Sequence, residues 1–183
     1  MGAALGDREE MLERAGKLDR DIYESAFTLG GESYAYLCCL SYRQAVTAHK
    51  LIRDRDGNLI FLSKENDSNG CIGTVDISYP SLPLFLMYNP ELVKGMLRPV
   101  FRFANCDVWE NDYAPHDVGR YPYAWGQVYA LRTGVGGVGY EPWREDVCPP
   151  VYSYPAGCDI YDHTFQMPVE ECGNMLLMTE AVC

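Results

Sequence analysis

The chain contains 183 residues, 48% of them hydrophobic, which suits one domain with a sizeable core or one large piece of a bigger domain. Its 26 acidic and 15 basic residues give a net charge of −11. Such an acidic surface excludes nucleic acids and anionic membranes as partners, because both attract basic patches. No apolar run approaches the ~18 residues of a membrane-spanning helix.

The N-terminus and the cysteines bear on the cellular location. The first ten residues lack the basic start and the long apolar segment of a signal peptide. The eight cysteines include no CxxC pair, so reduced and mostly buried thiols are expected. Cys148 and Cys158, in a proline-rich loop, form the one pair suited to a disulfide. These features favour a cytoplasmic protein.

The first predicted element is a helical hairpin over residues 7–52. Asp7 followed by Glu10 outlines a capping box, and apolar residues then recur at spacings of three and four, as on one face of a helix. Gly30 and Gly31 end this helix. A second helix is expected to run from there to about Ile52.

A β-hairpin and a site loop are predicted over residues 58–80. The segment Asp54–Asn58 contains Asp-Gly and has the composition of a turn. Leu59–Ser63 is predicted as a short strand, with Ile72–Ser78 as its partner.

Two helices are predicted over residues 81–103. Ser81–Met87 is expected to form a short buried helix. Pro90 suits the first turn of a longer helix that runs to about Phe103.

The remainder is predicted as a long loop region over residues 105–166 and a final helix over residues 168–183. Within the loop a strand is expected at Gln127–Arg132. Pro168 occupies the first turn of the final helix. A loop of about sixty residues is unusual in a compact domain and typically marks a functional region.

Three polar stretches carry most of the chemistry, namely Ser63–Pro80, Ala114–Gln127 and Gln166–Met175. In each of them acidic residues stand beside side chains that bind or polarise small polar ligands. We therefore expect the three stretches to form one cleft at one end of the helices.

The sequence predicts no metal and no cofactor. The segment from Glu65 to Asp76 imitates a calcium-binding loop, with a glycine at its sixth position. Glu at the first position and the short Asp at the twelfth argue against calcium, and a polar turn explains the pattern equally well. The three histidines lack zinc-ligand spacing.

A pair of carboxylates on separate segments is the favoured catalytic arrangement. One can donate a proton while the other activates water, as in the hydrolysis of amide or glycosidic bonds. The predicted catalytic residues are Asp117 with Glu170 or Glu171, and a sheltered carboxyl of this cleft should have a raised pKa. Aromatic side chains that can stack on a ligand, or belong to the core, are Tyr79, Tyr121 and Trp125.

Four segments in order resemble the six-hairpin domain of the glutaminase A family: YLCCLSYRQAVTAHK, the stretch that runs from SKENDSNG to ELVKGML, APHDVGRYP and MPVEECGNM. The resemblance covers the chain from about Asp7 to its end. It implies a mainly α fold in which helical hairpins form part of an (α/α)6 toroid, with a small β-hairpin and long functional loops. The chain is expected to be the front portion of that toroid.

The resemblance also implies a set of site residues and a function. By motif, the set comprises Lys64, Glu65, Asn66, Asp76, His116, Asp117, Glu170, Glu171 and Asn174. Fungal members of the family are linked to glutamine deamidation, which implies a hydrolase acting on an amide or a glycosidic bond. The substrate-binding residues expected beside the catalytic carboxylates are Lys64, Glu65, Asn66, Asp76, His116, Tyr121, Trp125 and Asn174.

Two other classes of function remain open from the sequence: a non-catalytic module that binds a carbohydrate or small ligand, and a structural part of a larger enzyme. The expected partner is a small molecule, either an amino-acid amide or a saccharide. Since an incomplete toroid would expose apolar helix faces, a second copy of the chain or the remaining domains of a parent protein are also expected as partners.

Overall fold

The computed structural model describes residues 6–65, 70–107, 109, 111–122, 124, 126–127, 132–133, 137–138, 158–159 and 167–183. The fold is mainly α-helical with small antiparallel sheets, as predicted. The chain forms two compact units, Met1–Thr47 and Ala48–Cys183. None of the helices in the described ranges is both long and apolar enough to cross a membrane.

The first unit is built from α1 (Arg8–Thr47), which reverses direction in the middle. Gly31 has non-helical angles there, with φ 75° and ψ −171°. Beyond this break, Arg43 forms an ion pair with Asp19 at 2.8 Å, which shows that the two arms lie side by side. The predicted reversal at the Gly-Gly pair is confirmed. The apolar face is less covered than its spacing suggested, since Leu37 is 60% exposed.

The second unit begins with a β-hairpin. Two predictions about it were wrong: the end of the preceding helix and the partner of the strand Leu59–Ser63. Strand β1 (His49–Arg53) pairs antiparallel with β2 (Leu59–Ser63), so the helix predicted to reach Ile52 ends at Thr47 instead. The cause is the intervening turn, in which the Asp54 carboxylate accepts hydrogen bonds from the backbone N–H groups of Asp56 and Asn58, at 3.0 and 2.7 Å.

The predicted strand Ile72–Ser78 is largely helix. Only a single bridge joins Ile72 to Lys64 in the described part of this region, and α2 covers Val75–Tyr88. The β-branched residues favour a strand locally, but α2 buries Leu82 and Phe85 against its neighbours, and this packing outweighs the local preference.

Two further helices complete the packing around α2. Helix α3 (Pro90–Ala104) confirms the predicted start at Pro90, and the Asn89 side chain accepts a hydrogen bond from the N–H of Glu91 at 3.2 Å. Its buried face lies on β2. Helix α4 (Pro168–Glu180) packs against both α2 and α3. The first turn of α4 is thereby brought close to the first turn of α2.

Parts of the predicted loop region form a second sheet. Strand β3 (Arg132–Thr133) lies between β4 (Gly137–Val138) and β5 (Cys158–Asp159), and both pairings are antiparallel. Of the strand predicted at Gln127–Arg132, Gln127 is not in a strand, Arg132 begins β3, and residues 128–131 lie outside the described residues. Cys148 lies outside the described residues, so its pairing with Cys158 stays a prediction, as does the arrangement of hairpins in a toroid.

Candidate active site

Residues from the three predicted polar stretches meet in the second unit. Asp76 lies in the first turn of α2, His116 and Asp117 lie in the loop after α3, and Glu171 lies in the first turn of α4. One nitrogen of His116 and one carboxylate oxygen each of Asp76 and Glu171 lie within 4.8 Å of one another. We call Asp76, His116, Asp117 and Glu171 the acidic–histidine cluster. Helix N-termini favour negative charge, so both helix-borne acids occupy suitable positions.

A backbone ladder positions the loop that carries His116. The N–H of Val118 donates to the carbonyl of Ile72 at 3.0 Å, and the N–H of Val75 donates to the carbonyl of His116 at 2.9 Å. The buried side chain of Gln127 accepts a hydrogen bond from the His116 N–H at 2.7 Å. Gly73 permits the close approach, because a Cβ at this position would lie 2.7 Å from Val118. The loop is therefore fixed to the start of α2.

Asp117 orients the imidazole of His116. Its Oδ2 lies 3.0 Å from His116 Nδ1, and its Oδ1 accepts a hydrogen bond from the N–H of Gly119 at 2.9 Å. Asp117 is 0% exposed. Burial lowers the pKa of His116, but Asp117, Asp76 and Glu171 raise it, and the net pKa lies above the ordinary value. Asp117 thus acts on the imidazole rather than facing solvent.

Glu171 and Asp76 have carboxylate oxygens that lack ordinary hydrogen bonds. Glu171 is 1% exposed, and neither of its oxygens has a partner of ordinary geometry among the described residues. Burial raises the pKa of Glu171 to about 8; Asp76 and Glu170 add to the rise, whereas His116 and the nearby Asn174 amide oppose it. The raised pKa predicted for a sheltered carboxyl is found at this residue. Asp76 Oδ1 is likewise buried without a hydrogen bond, although the side chain as a whole is 29% exposed.

Other predicted site residues lie around this cluster or outside it. Asn174 is buried one turn after Glu171, whereas the side chain of Glu170 is exposed. Tyr121 is 56% exposed. The N–H of Lys64 donates to the carbonyl of Ala48 at 2.8 Å, and the N–H of Glu65 donates to the carbonyl of Cys71, on the segment that leads to α2, at 2.9 Å. Asn66 and Trp125 lie outside the described residues, as do residues 66–69 of the segment predicted to imitate a calcium site. The buried Gln127, which ends the second polar stretch, had no predicted role.

Among the residues that the structure describes, two groups of side chains have donor atoms close enough together to hold a metal ion. One is Asp76, His116 and Glu171, and the other is Cys71, His116 and Asp117. Burial raises the pKa of the Cys71 thiol, which disfavours the thiolate that a metal requires. Both oxygens of Asp117 already have partners: Oδ2 contacts the imidazole of His116, and Oδ1 accepts a hydrogen bond from the N–H of Gly119. The first group is therefore the better set of donors.

Comparison with known proteins identifies the family of this chain. Residues 31–183 match the family described as the glutaminase A six helical-hairpin domain. Glutaminase A of Aspergillus oryzae (strain ATCC 42149 / RIB 40) is 33% identical over 164 residues, which are 90% of this chain and 19% of that protein. A protein named probable glutaminase, from Arthroderma benhamiae (strain ATCC MYA-4681 / CBS 112371), is 32% identical over 164 residues, 90% of this chain and 15% of its own length. The chain thus spans less than a fifth of these relatives. No solved structure matches it.

Proposed function

Since the chain belongs to the glutaminase A family of six-helical-hairpin domains, we propose that it carries the catalytic carboxylates of a hydrolase that cleaves an amide bond of the glutamine type. The observation that carries the proposal is the position of Glu171. Its carboxyl group is buried, makes no ordinary hydrogen bond within the described residues, and lies beside Asp76 and His116. Such an arrangement is costly for folding and is typical of functional sites.

Amide hydrolysis needs a group that takes a proton from water and a group that returns one to the leaving nitrogen. Asp76 and Glu171 are the pair placed to do this. Asp76 is partly exposed, so substrate and water can reach it, while Glu171 forms the buried side of the same cluster. In this proposal Asp117, expected from the sequence as a direct proton carrier, holds His116 in place instead, because both of its oxygens are engaged.

The spacing of the two carboxylates argues against hydrolysis of a sugar by the inverting mechanism. Their nearest oxygens lie within 4.8 Å, whereas inverting glycosidases keep their carboxyl groups ~6.5–9.5 Å apart to admit a water molecule. The choice of an amide bond is supported by the names of both relatives, glutaminase A and probable glutaminase.

The test is ammonia release from glutamine by the purified chain and its variants. Asp76→Asn and Glu171→Gln should each lower kcat by at least about 100-fold, with glutamine affinity retained, because they remove proton transfer while preserving shape. Glu170→Gln is the matched control, since this exposed neighbour should be replaceable without loss. Binding of glutamine or of a saccharide without any turnover would contradict the proposal and favour a binding module.

A further inference from the structure

We propose that Asp76, His116 and Glu171 bind one divalent transition-metal ion, such as Zn²⁺, through one oxygen of each carboxylate and Nε2 of the imidazole. The inference rests on the proposed function and deepens it, because the ion would activate the attacking water at the same site. It also departs from the sequence, which predicts no metal.

The geometry of the donors fits a shared ion. His116 Nε2 lies 3.8 Å from Asp76 Oδ1, too far for a hydrogen bond. Two ligands bound at ~2.1 Å around a tetrahedral ion are held ~3.4 Å apart, so His116 and Asp76 would have to approach each other by only a few tenths of an ångström. The third donor, from Glu171, lies within 4.8 Å of both.

The buried oxygens provide an independent reason to expect a cation. Both oxygens of Glu171 and Oδ1 of Asp76 are buried and have no hydrogen-bond partner in the described part of the chain. Buried carboxylates are normally paired with a donor, a cation or a metal. A divalent ion would bind Oδ1 of Asp76 and one oxygen of Glu171, and it would balance the charge of the two carboxylates.

The surroundings of His116 match those of a metal-bound histidine. Such a histidine normally has its other ring nitrogen hydrogen-bonded to a carboxylate, which fixes the tautomer. Asp117 supplies this carboxylate at 3.0 Å from Nδ1. One imidazole with two carboxylates suits zinc or manganese better than calcium or magnesium, which prefer oxygen ligands alone.

The number of protein ligands is compatible with the chemistry of hydrolysis. Three protein ligands leave a fourth position open for water, as in catalytic zinc sites. Water on the ion would pass one proton to the second oxygen of Asp76, and the resulting hydroxide would attack the carbonyl carbon of the amide. The C–N bond then breaks, Asp76 returns the proton to the nitrogen, and a primary amide yields a carboxylic acid and ammonia. The ion takes the place that a proton on Glu171 would otherwise fill.

The experiment is a calorimetric titration of Zn²⁺ into the chelator-treated chain. We expect one bound ion per chain, and a much weaker interaction with Ca²⁺. Asp117→Asn should weaken Zn²⁺ binding ~10–100-fold, and Asp76→Asn or Glu171→Gln should weaken it by more than that. Glu180→Gln, at the exposed far end of α4, should leave it unchanged. X-ray absorption of the zinc-loaded wild-type chain should show oxygen and imidazole ligands without sulfur, a readout that does not depend on the folding of any variant.

Three results would overturn the inference: no stoichiometric zinc binding by the wild-type chain, a sulfur ligand that identifies Cys71, or unchanged affinity in a folded Glu171→Gln variant. The same experiments test the proposed hydrolase function separately from the metal site. Loss of turnover in both carboxylate variants of a chain that binds no metal would retain the hydrolase and leave the carboxylates as direct acid and base. Zinc binding without hydrolysis would retain the metal site and reject the hydrolase.

Discussion

Replacing Gly73 with alanine should destabilise the fold around the active site, because the backbone and the packing both require glycine there. Gly73 has a φ of 60°, in the left-handed region. A Cβ on it would lie 2.7 Å from Val118 Cγ2 and 3.4 Å from Leu62 Cδ2. Val118 is 0% exposed and follows Asp117 directly, so it cannot yield without moving the loop that carries His116.

The expected loss of stability is the sum of a backbone contribution and a packing contribution. A left-handed backbone costs a non-glycine residue ~1–2 kcal/mol, and overpacking a filled site costs a further ~1–3 kcal/mol. Gly57→Ala is the matched control, since its φ is 84° but nothing lies within 4 Å of the added Cβ. We therefore expect Gly73→Ala to lower the free energy of unfolding by about 2–5 kcal/mol and Gly57→Ala by only ~1–2 kcal/mol, measured by urea denaturation.

A double-mutant cycle isolates the clash. Val118→Ala removes the methyl group that the new Cβ would meet, so it should cost less in the Gly73→Ala background than in the wild-type chain, with a coupling of ~0.5–3 kcal/mol. Equal losses for Gly73→Ala and Gly57→Ala, or a coupling near zero, would refute the reasoning.

Two further substitutions test the packing that positions the site. Asn89→Ala removes the cap of α3 and should cost ~0.5–2 kcal/mol in urea denaturation; Asn89→Ser, which can still accept the hydrogen bond, should recover most of it. Phe85→Ala empties a buried site where the ring contacts Phe61 at a centroid distance of 5.0 Å, and should cost ~3–5 kcal/mol. Phe101→Ala, at a side chain 43% exposed, should cost less than about 1 kcal/mol, and a loss comparable with that of Phe85→Ala would contradict the packing.

Some elements could be predicted because local chemistry determines them. Pro90 begins α3 as expected, since proline needs no N–H in the first turn of a helix. Gly31 ends the first arm of α1, since few other residues adopt its positive φ. The extent of β1 could not be predicted, because Leu51 and Ile52 extend the apolar pattern of the helix before them. Their pairing with β2 depends on the turn that follows.

The start of α2 depends on tertiary contacts, so the sequence was misleading there. Pro80 and Pro83 stand inside the helix, where each removes a backbone donor and normally disrupts helical structure. Burial of Leu82 and Phe85 compensates, and no local pattern reveals that packing. The same holds for the site. The sequence identified the three polar stretches, but the choice of Asp76 as the partner of Glu171 depends on how the first turns of α2 and α4 meet.

The turn before β2 should make the fold sensitive to acid. The Arg102 side chain donates a hydrogen bond to the Asp54 carboxylate, and this contact, with additional hydrogen bonds from Asn58, holds the pKa of Asp54 well below its ordinary range despite some desolvation. In the unfolded chain an aspartate has a pKa of ~3.9. A carboxylate with a lower pKa in the folded state stabilises the fold above the unfolded pKa, and the contribution is lost as the pH falls through and below it.

Asp54→Asn should therefore reduce stability at neutral pH and have progressively less effect as the pH falls below about 4, because the wild-type chain then loses the same contribution. Asp56→Asn is the matched control, since this exposed neighbour contributes its backbone N–H to the turn. Urea denaturation of the three proteins between about pH 2.5 and 7 measures the difference. A gap between the wild-type chain and Asp54→Asn that stays constant over this range would show that the turn is held by its shape, and that the charge on Asp54 contributes nothing to the joining of β2 and α3.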